Sequence, residues 1–281
     1  MYIIPLARVE ELCAAFFHRS VAVERKRMYD LQRASLLKRF SAFLLDIILL
    51  VMLAVAMFGL LGWILGYNGY AKEIDTTYDK YYAEYGISAD ISEEEYDALP
   101  DEEKQKYLDA SKALEEDAEF GKLYYTFTNL TLVITTFSIL LAYVILELVV
   151  PIILKNGQTV GKKIFAIGVM DINGVRIKPI ALFVRTILGK YTIETMIPVM
   201  LLMRVIIFGS GGPLSLIVIA ALILMQIIFM ATTRTHLSIH DLLSSTVTVD
   251  LPSQMIFDSV EELNEYKKRL AAEKAANSEY F

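Results

Sequence analysis

Three acidic residues, one arginine and two histidines stand where charge is costly in this 281-residue sequence. Asp46 lies about seven residues inside an apolar stretch that opens near Phe40, and a carboxylate at the centre of a membrane helix costs roughly 2.5–3.5 kcal/mol on insertion scales. Arg39 precedes it by seven residues. On a helix that spacing leaves the two about 10 Å apart along the axis but within about 20° of one face. The gap is long for a direct pair within one helix, so each is expected to meet a group from another helix, or water, on the cytoplasmic side. The pair is either part of a salt-bridge network that holds helices together or part of an ion path. Glu147 stands near the inner end of a second apolar stretch, whose outer half carries Thr128, Thr131, Thr135 and Ser138 as one polar stripe. Such hydroxyls let membrane helices pack closely; a hydrophilic path is the alternative. His236 and His240 have the i, i+4 spacing of a helical metal pair, yet a zinc hydrolase needs a third ligand and a general base, and the HExxH order is absent. His240 beside Asp241 at a membrane surface suits a proton sensor or relay instead.

The segment Asn156-Gly157-Gln158-Thr159-Val160-Gly161-Lys162-Lys163 has the flavour of a phosphate-binding loop but fails its template. Three residues separate the glycines, Lys163 stands where Ser or Thr would bind magnesium, and no second acidic metal motif is nearby. Nucleotide hydrolysis is excluded on that basis. With Cys13 as the single cysteine, an internal disulfide, a thiolate zinc site and a CxxC redox centre are excluded too. No nucleophile, metal or cofactor motif remains, so the chain is not expected to be an enzyme or to carry a cofactor.

The elements that position these residues are membrane helices. Of the chain, 55% is hydrophobic, mean hydropathy is +0.46, and uncharged runs cover 47–71, 123–146 and 205–233. Each exceeds the ~20 residues that cross a bilayer core. Spans are predicted at about 40–67, 123–154, 190–209 and 213–231. The third is interrupted by Lys190, Glu194 and Arg204 and should be buried among the others; Pro213 opens the fourth after the turn 209–213. The formal charge of −6 conceals opposed segments: residues 68–122 hold 6 basic and 17 acidic residues, residues 1–39 hold 8 and 4, and residues 155–180 hold 5 and 1. Basic flanks stay inside, so both termini are expected in the cytoplasm and the acidic loop outside, with Trp63, Tyr67, Tyr124 and Tyr125 at the outer interface.

Between spans two and three, Ile164–Asp171 and Val175–Lys178 around Asn173-Gly174 predict a short hairpin. Pro179–Leu188, closing at Gly189, predicts a helix lying on the inner leaflet. The outer loop predicts a helical hairpin, with a capping box at Ser92–Glu95, a turn at Leu99-Pro100-Asp101 and a charged helix over 101–120; it is either a solvated spacer or a recognition surface. Ser259 and Glu262 open a charged helix reaching about Asn277. Residues 1–27 lack the long apolar centre of a secretory signal and are either an extra cytoplasmic helix or a consequence of an upstream start, since Met28 precedes the basic flank. The Asn129 sequon falls within a predicted span and should be inert.

Three segments in order, Lys38-Arg39-Phe40-Ser41-Ala42-Phe43-Leu44-Leu45-Asp46, Gly157-Gln158-Thr159-Val160-Gly161-Lys162-Lys163 and His240-Asp241-Leu242-Leu243-Ser244-Ser245-Thr246-Val247, resemble the RDD membrane family. The resemblance implies that Arg39, Asp46 and Asp241 are the Arg and two Asp of the family name. It covers about 33–67 and 123–250. The expected architecture is an all-α membrane protein, a four-transmembrane-helix bundle with a small cytoplasmic hairpin and interfacial helix between spans two and three. It comprises a cytoplasmic segment 1–32, a membrane domain 33–250 with the acidic loop 68–122 inserted, and a cytoplasmic tail 251–281, in the cell membrane.

The family's role is poorly defined, and sodium/proton antiport is attributed to at least one member. Two functions are therefore expected in competition. In the first, a secondary transporter exchanges a small monovalent cation for protons: Asp46 and Glu147 alternate between protonated and cation-bound states, Arg39 tunes Asp46, and His240 with Asp241 admits protons or ions from the cytoplasm. A homodimer would supply room for two gates. In the second, a non-transporting scaffold or accessory subunit docks partners through its acidic loop and tail, with the charges as internal glue. Bilayer lipid is the expected partner in both, and nucleic acid in neither.

Overall fold

The structure, a computed structural model, describes residues 31–209, 212–233 and 236–278. The N-terminal 1–27 segment, and Ser210 and Gly211 of the turn before Pro213, lie outside the described residues. The chain divides into two compact units, one of Ala54–Ile139 and one of the residues up to Leu53 and from Leu140 onward.

Among the described residues, three helices are long and apolar enough to cross a membrane: α1 (Leu36–Ile64), α5 (Ala118–Leu154) and α8 (Gly212–Thr232). The first stops three residues short of the expected Tyr67, because Gly66 takes a left-handed conformation (φ +70°) and Tyr67 starts a new helix. The expected third span is part of α7, an unbroken helix over residues 179–208 that contains the π-helical stretch Val184–Met196. Its length is roughly 45 Å at the α-helical rise.

The unit of Ala54–Ile139 contains the expected helical hairpin. Helices α2 (Tyr67–Glu84) and α4 (Asp101–Glu116) pack together, joined through the short α3 (Glu93–Asp97). Ser92 and Glu95 form the expected reciprocal capping box. Pro100 precedes α4, and Asp117 breaks the chain before α5 by accepting from the amides of Glu119 and Phe120 while Tyr81 donates to it at 2.5 Å. Tyr rings at 78, 82, 96 and 107 stack edgewise along the hairpin, which gives so acidic a segment an aromatic core. Within this unit Thr131 donates to Tyr67 at 3.3 Å, a packing use of the hydroxyl stripe.

The other unit carries a two-stranded antiparallel sheet that local patterning does not reveal. β1 (Ile167–Asp171) pairs with β2 (Thr246–Asp250), Met170 opposite Val247 and Gly168 opposite Val249. The Asn173-Gly174 turn forms, with Gly174 donating to Asp171 and the Asp171 amide to Val175, but the expected hairpin partner contributes only an isolated bridge at Met170–Arg176. Both sheet faces are covered. Met170, Val247 and Val249 pack with Leu237, while Ile167 lies with Ala34 and Ala42, and Val169 with Ile177 and Leu182. Strands buried on both faces favour the β-branched residues found here.

The interfacial helix expected to close at Gly189 does not close there. Helix α7 continues because Gly189 is where another backbone lands: a Cβ added to it would sit 2.5 Å from His240 Cβ and 2.8 Å from His240 Cα. Glycine at this point is a packing requirement, not a helix stop. The tail forms α10 (Val260–Ser278), capped by Ser259 accepting from the Glu262 amide.

Candidate functional site

Arg39 and Asp46 both belong to α1, and each meets a different part of the chain rather than the other. Asp46 accepts from the Thr159 hydroxyl at 2.5 Å and the Gly161 amide at 2.8 Å. These two residues open α6 (Val160–Ile164), whose first turn Thr159 also caps by accepting from the Lys162 amide. Gly161 is obligatory at this crossing, since a Cβ there would sit 2.4 Å from the Ala42 carbonyl and 2.9 Å from the Asp46 carboxylate. Gln158 donates to the Ile167 carbonyl, and Gly157 turns with φ +61° against Val169. The Gly-Gln-Thr-Val-Gly element is thus a clasp closed on Asp46, and the carboxylate that looks like an intramembrane orphan in sequence satisfies its two donors.

Asp241 is the centre of a second cluster. It lies in α9 (Ile239–Ser244), and its side chain is 0% exposed. The Arg185 guanidinium, 3% exposed, donates to it and to the Thr246 hydroxyl at 2.6 Å. The same carboxylate accepts from Ser238 Oγ at 2.6 Å, the Ser238 amide at 3.3 Å, Thr246 Oγ1 at 3.2 Å and Arg39 Nη2 at 3.5 Å. Arg39 also donates to the His236 carbonyl at 2.7 Å. Burial opposes ionisation of Asp241, but Arg185, with smaller contributions from His240, Arg39 and Ser238, outweighs it and holds the carboxyl well below the usual range. Arg39 is therefore seated on Asp241 rather than on Asp46, a partner from another helix as the spacing led one to expect.

Glu147 lies in a π-helical turn, Val144–Val149, within α5. Lys190, from the π-helical stretch of α7, donates to it at 2.5 Å, and Thr186 donates to the Glu147 carbonyl at 2.8 Å. Single π turns inside helices occur frequently at functional sites, and here one such turn, around Glu147, is joined by an ion pair to the longer π-helical stretch that carries Lys190. Lys162, in α6, belongs to the same field: burial and the neighbouring Lys190 charge push its ammonium down to about 7, against the pull of Glu147.

The two histidines do not share a site. His236 Nδ1 donates to the Met230 carbonyl at 2.6 Å. His240 Nδ1 lies 2.9 and 2.8 Å from the two oxygens of Glu194, its amide donates to Glu194 at 3.0 Å, and its Nε2 lies 2.8 Å from Ser238 Oγ. Burial, with Arg185, pushes His240 down, while Glu194 and Asp241 oppose. Sequence reasoning named Arg39, Asp46, Glu147, His240 and Asp241; the structure adds Arg185, Lys190, Glu194, Thr159, Ser238 and Thr246 as their partners. The signal for the added charges was present, as each of the three interrupts an apolar stretch.

Three helices long and apolar enough to cross a membrane mark the chain as an integral membrane protein, and Glu147 on one of them is paired with Lys190 of α7. The RDD family model matches residues 33–245, and the chain belongs to the RDD family. No curated protein and no solved structure matches the chain.

Proposed function

We propose that the protein is a secondary transporter that exchanges a small monovalent cation for protons, with the exchange centred on Glu147 and Lys190. The observation that carries the reading is the 2.5 Å pair between a carboxylate and a lysine at two facing π-helical stretches. An ammonium can give up its proton, whereas a guanidinium cannot. A cation that takes the Glu147 carboxylate displaces Lys190, which becomes a neutral amine and releases one proton, so the charge of the site is unchanged. Lys162, already near neutrality at ordinary pH, adjusts to the same change. The reading takes α7 as a fourth crossing, with both termini cytoplasmic in the cell membrane and two copies supplying the gates.

The test is proton flux in proteoliposomes under imposed Na⁺, K⁺ and Li⁺ gradients, comparing wild type with Glu147→Gln and Lys190→Arg. Lys190→Arg retains the charge and removes the dissociable proton, so loss of exchange from a folded variant supports the reading. Exchange at the wild-type rate in Lys190→Arg overturns it.

The competing reading, a non-transporting scaffold, draws on a different observation: Asp46 and Asp241 are engaged by Thr159, Gly161, Arg185 and Arg39 within the protein. Under it the clusters only fasten α1, α7 and the sheet, and neither folded wild type nor any variant shows flux above empty liposomes.

A further inference from the structure

We propose that Glu194 and His240 form the proton path between the Glu147–Lys190 pair and cytoplasmic water, with Ser238 orienting the ring, a role that rests on the exchange reading above. The hydrogen bonds around His240 are specific about where protons sit. Glu194 offers two carboxylate oxygens within 2.9 Å of Nδ1, so Nδ1 carries a hydrogen. Ser238 Oγ lies 2.8 Å from Nε2 and 2.6 Å from Asp241 Oδ2. Its single hydrogen serves one of them at a time.

When the ring is neutral the two acceptors compete for the Ser238 hydrogen. When Nε2 is protonated, Nε2–H donates to Ser238 and Ser238 donates to Asp241, so the chain from Glu194 to Asp241 is complete. The groups facing the ring are Glu194 and Arg185 from α7 and Asp241 from its own helix, with Arg39 of α1 on the far side of Asp241. His240 and Glu194 retain 13% and 21% side-chain exposure, so the protein does not enclose them fully, unlike Asp241. Lys190 precedes Glu194 by four residues on the same π-helical stretch.

The step balances. A proton from water adds to Nε2, the Nδ1 proton passes to Glu194, and Glu194 passes it to the neutral Lys190 amine, which re-forms the ammonium as the cation leaves Glu147. The ring, left neutral with hydrogen on Nε2, regains its first tautomer by exchange with water. Arg185 and Arg39 keep Asp241 ionised throughout, so Asp241 positions Ser238 and does not itself carry the proton.

The experiment compares full-length wild type with Glu194→Gln, His240→Gln and Ser238→Ala. Flux in proteoliposomes is read as maximal rate and half-saturating Na⁺, and the ¹⁵N signals of the three histidines are titrated in detergent, with His240→Gln identifying the one of interest. The path predicts maximal rates at least tenfold lower in Glu194→Gln and His240→Gln, half-saturating Na⁺ unchanged, and a lower His240 titration midpoint in Glu194→Gln because a favourable carboxylate is gone. Ser238→Ala, which retains the charges, carries the same prediction of a slower rate if either charge variant fails to fold. Wild-type rates in the folded variants, half-saturation that moves with the rate, or an unmoved His240 midpoint overturns the path alone. Absence of flux from folded wild type overturns the exchange reading, and the path with it.

Discussion

Replacing Asp241 with asparagine tests the claim that its cluster is a permanent clamp. Arg185 is 3% exposed and its nearest carboxylate is Asp241, itself 0% exposed. The variant leaves two guanidiniums, from Arg185 and Arg39, aimed at a neutral amide whose nitrogen half repels them. Removing one member of a buried ion pair costs about 3–5 kcal/mol, most of it from the charge left behind. For a protein of this size each kcal/mol lowers Tm by about 2–4 °C, so Asp241→Asn is expected to melt roughly 6–20 °C below wild type. The assay is thermal unfolding of the detergent-purified protein followed by size exclusion. Replacing both partners with apolar residues of similar volume, Asp241→Leu with Arg185→Met, should recover more than half of the loss, because the cost lies in the uncompensated charge rather than in the missing attraction. A Tm within about 2 °C of wild type for Asp241→Asn, or a double variant as unstable as the sum of its singles, refutes the reasoning.

Gly161→Ala forces a methyl group to 2.4 Å from the Ala42 carbonyl and should cost about 1–3 kcal/mol as overpacking, read as a lower Tm. Thr159→Val removes the hydroxyl from a buried site on Asp46 and should cost a similar ~1–3 kcal/mol, with Thr159→Ser recovering most of it. Lys162 has a folded value depressed to about 7 from an ordinary lysine value, so the unfolded chain binds the extra proton above pH 7 and stability should rise between pH 7 and 10; Lys162→Met should flatten that part of a Tm-against-pH curve. Lys155 adopts φ +63° and ψ 175°, a region that essentially only glycine tolerates, so Lys155→Gly should raise Tm.

What sequence made legible was local. Runs of apolar residues located the three long helices, the Ser92–Glu95 spacing located a capping box, and the ordered motifs identified the family. The failures share a physical cause. β1 and β2 are 75 residues or more apart in the chain, and a five-residue strand covered on both faces carries no alternation to reveal its partner. Gly189 was misread because a glycine that ends a helix and a glycine that admits a neighbouring backbone look alike until His240 is seen against it. The π-helical stretches through Glu147 and Lys190 escaped because an apolar run carries no mark of a local change from i→i+4 to i→i+5 hydrogen bonding. Arg39 and Asp46 were correctly expected to seek partners elsewhere, but which partners depended on folding that returns β2 and α6 to the N-terminal part of α1.

The choice of cation beside each carboxylate separates the two buried clusters by function. Asp241 is met by arginines from two helices, whose charge is fixed, and a carboxylate held so cannot exchange its proton or accept a transported ion without leaving two guanidiniums stranded. Glu147 accepts on its side chain from Lys190, and Lys162 nearby is already half-titrated at neutral pH. The first arrangement makes a structure that is insensitive to pH over the range in which the second can respond. Under the exchange reading, that division assigns the clamp to Arg39, Arg185 and Asp241 and the exchange to Glu147 and Lys190.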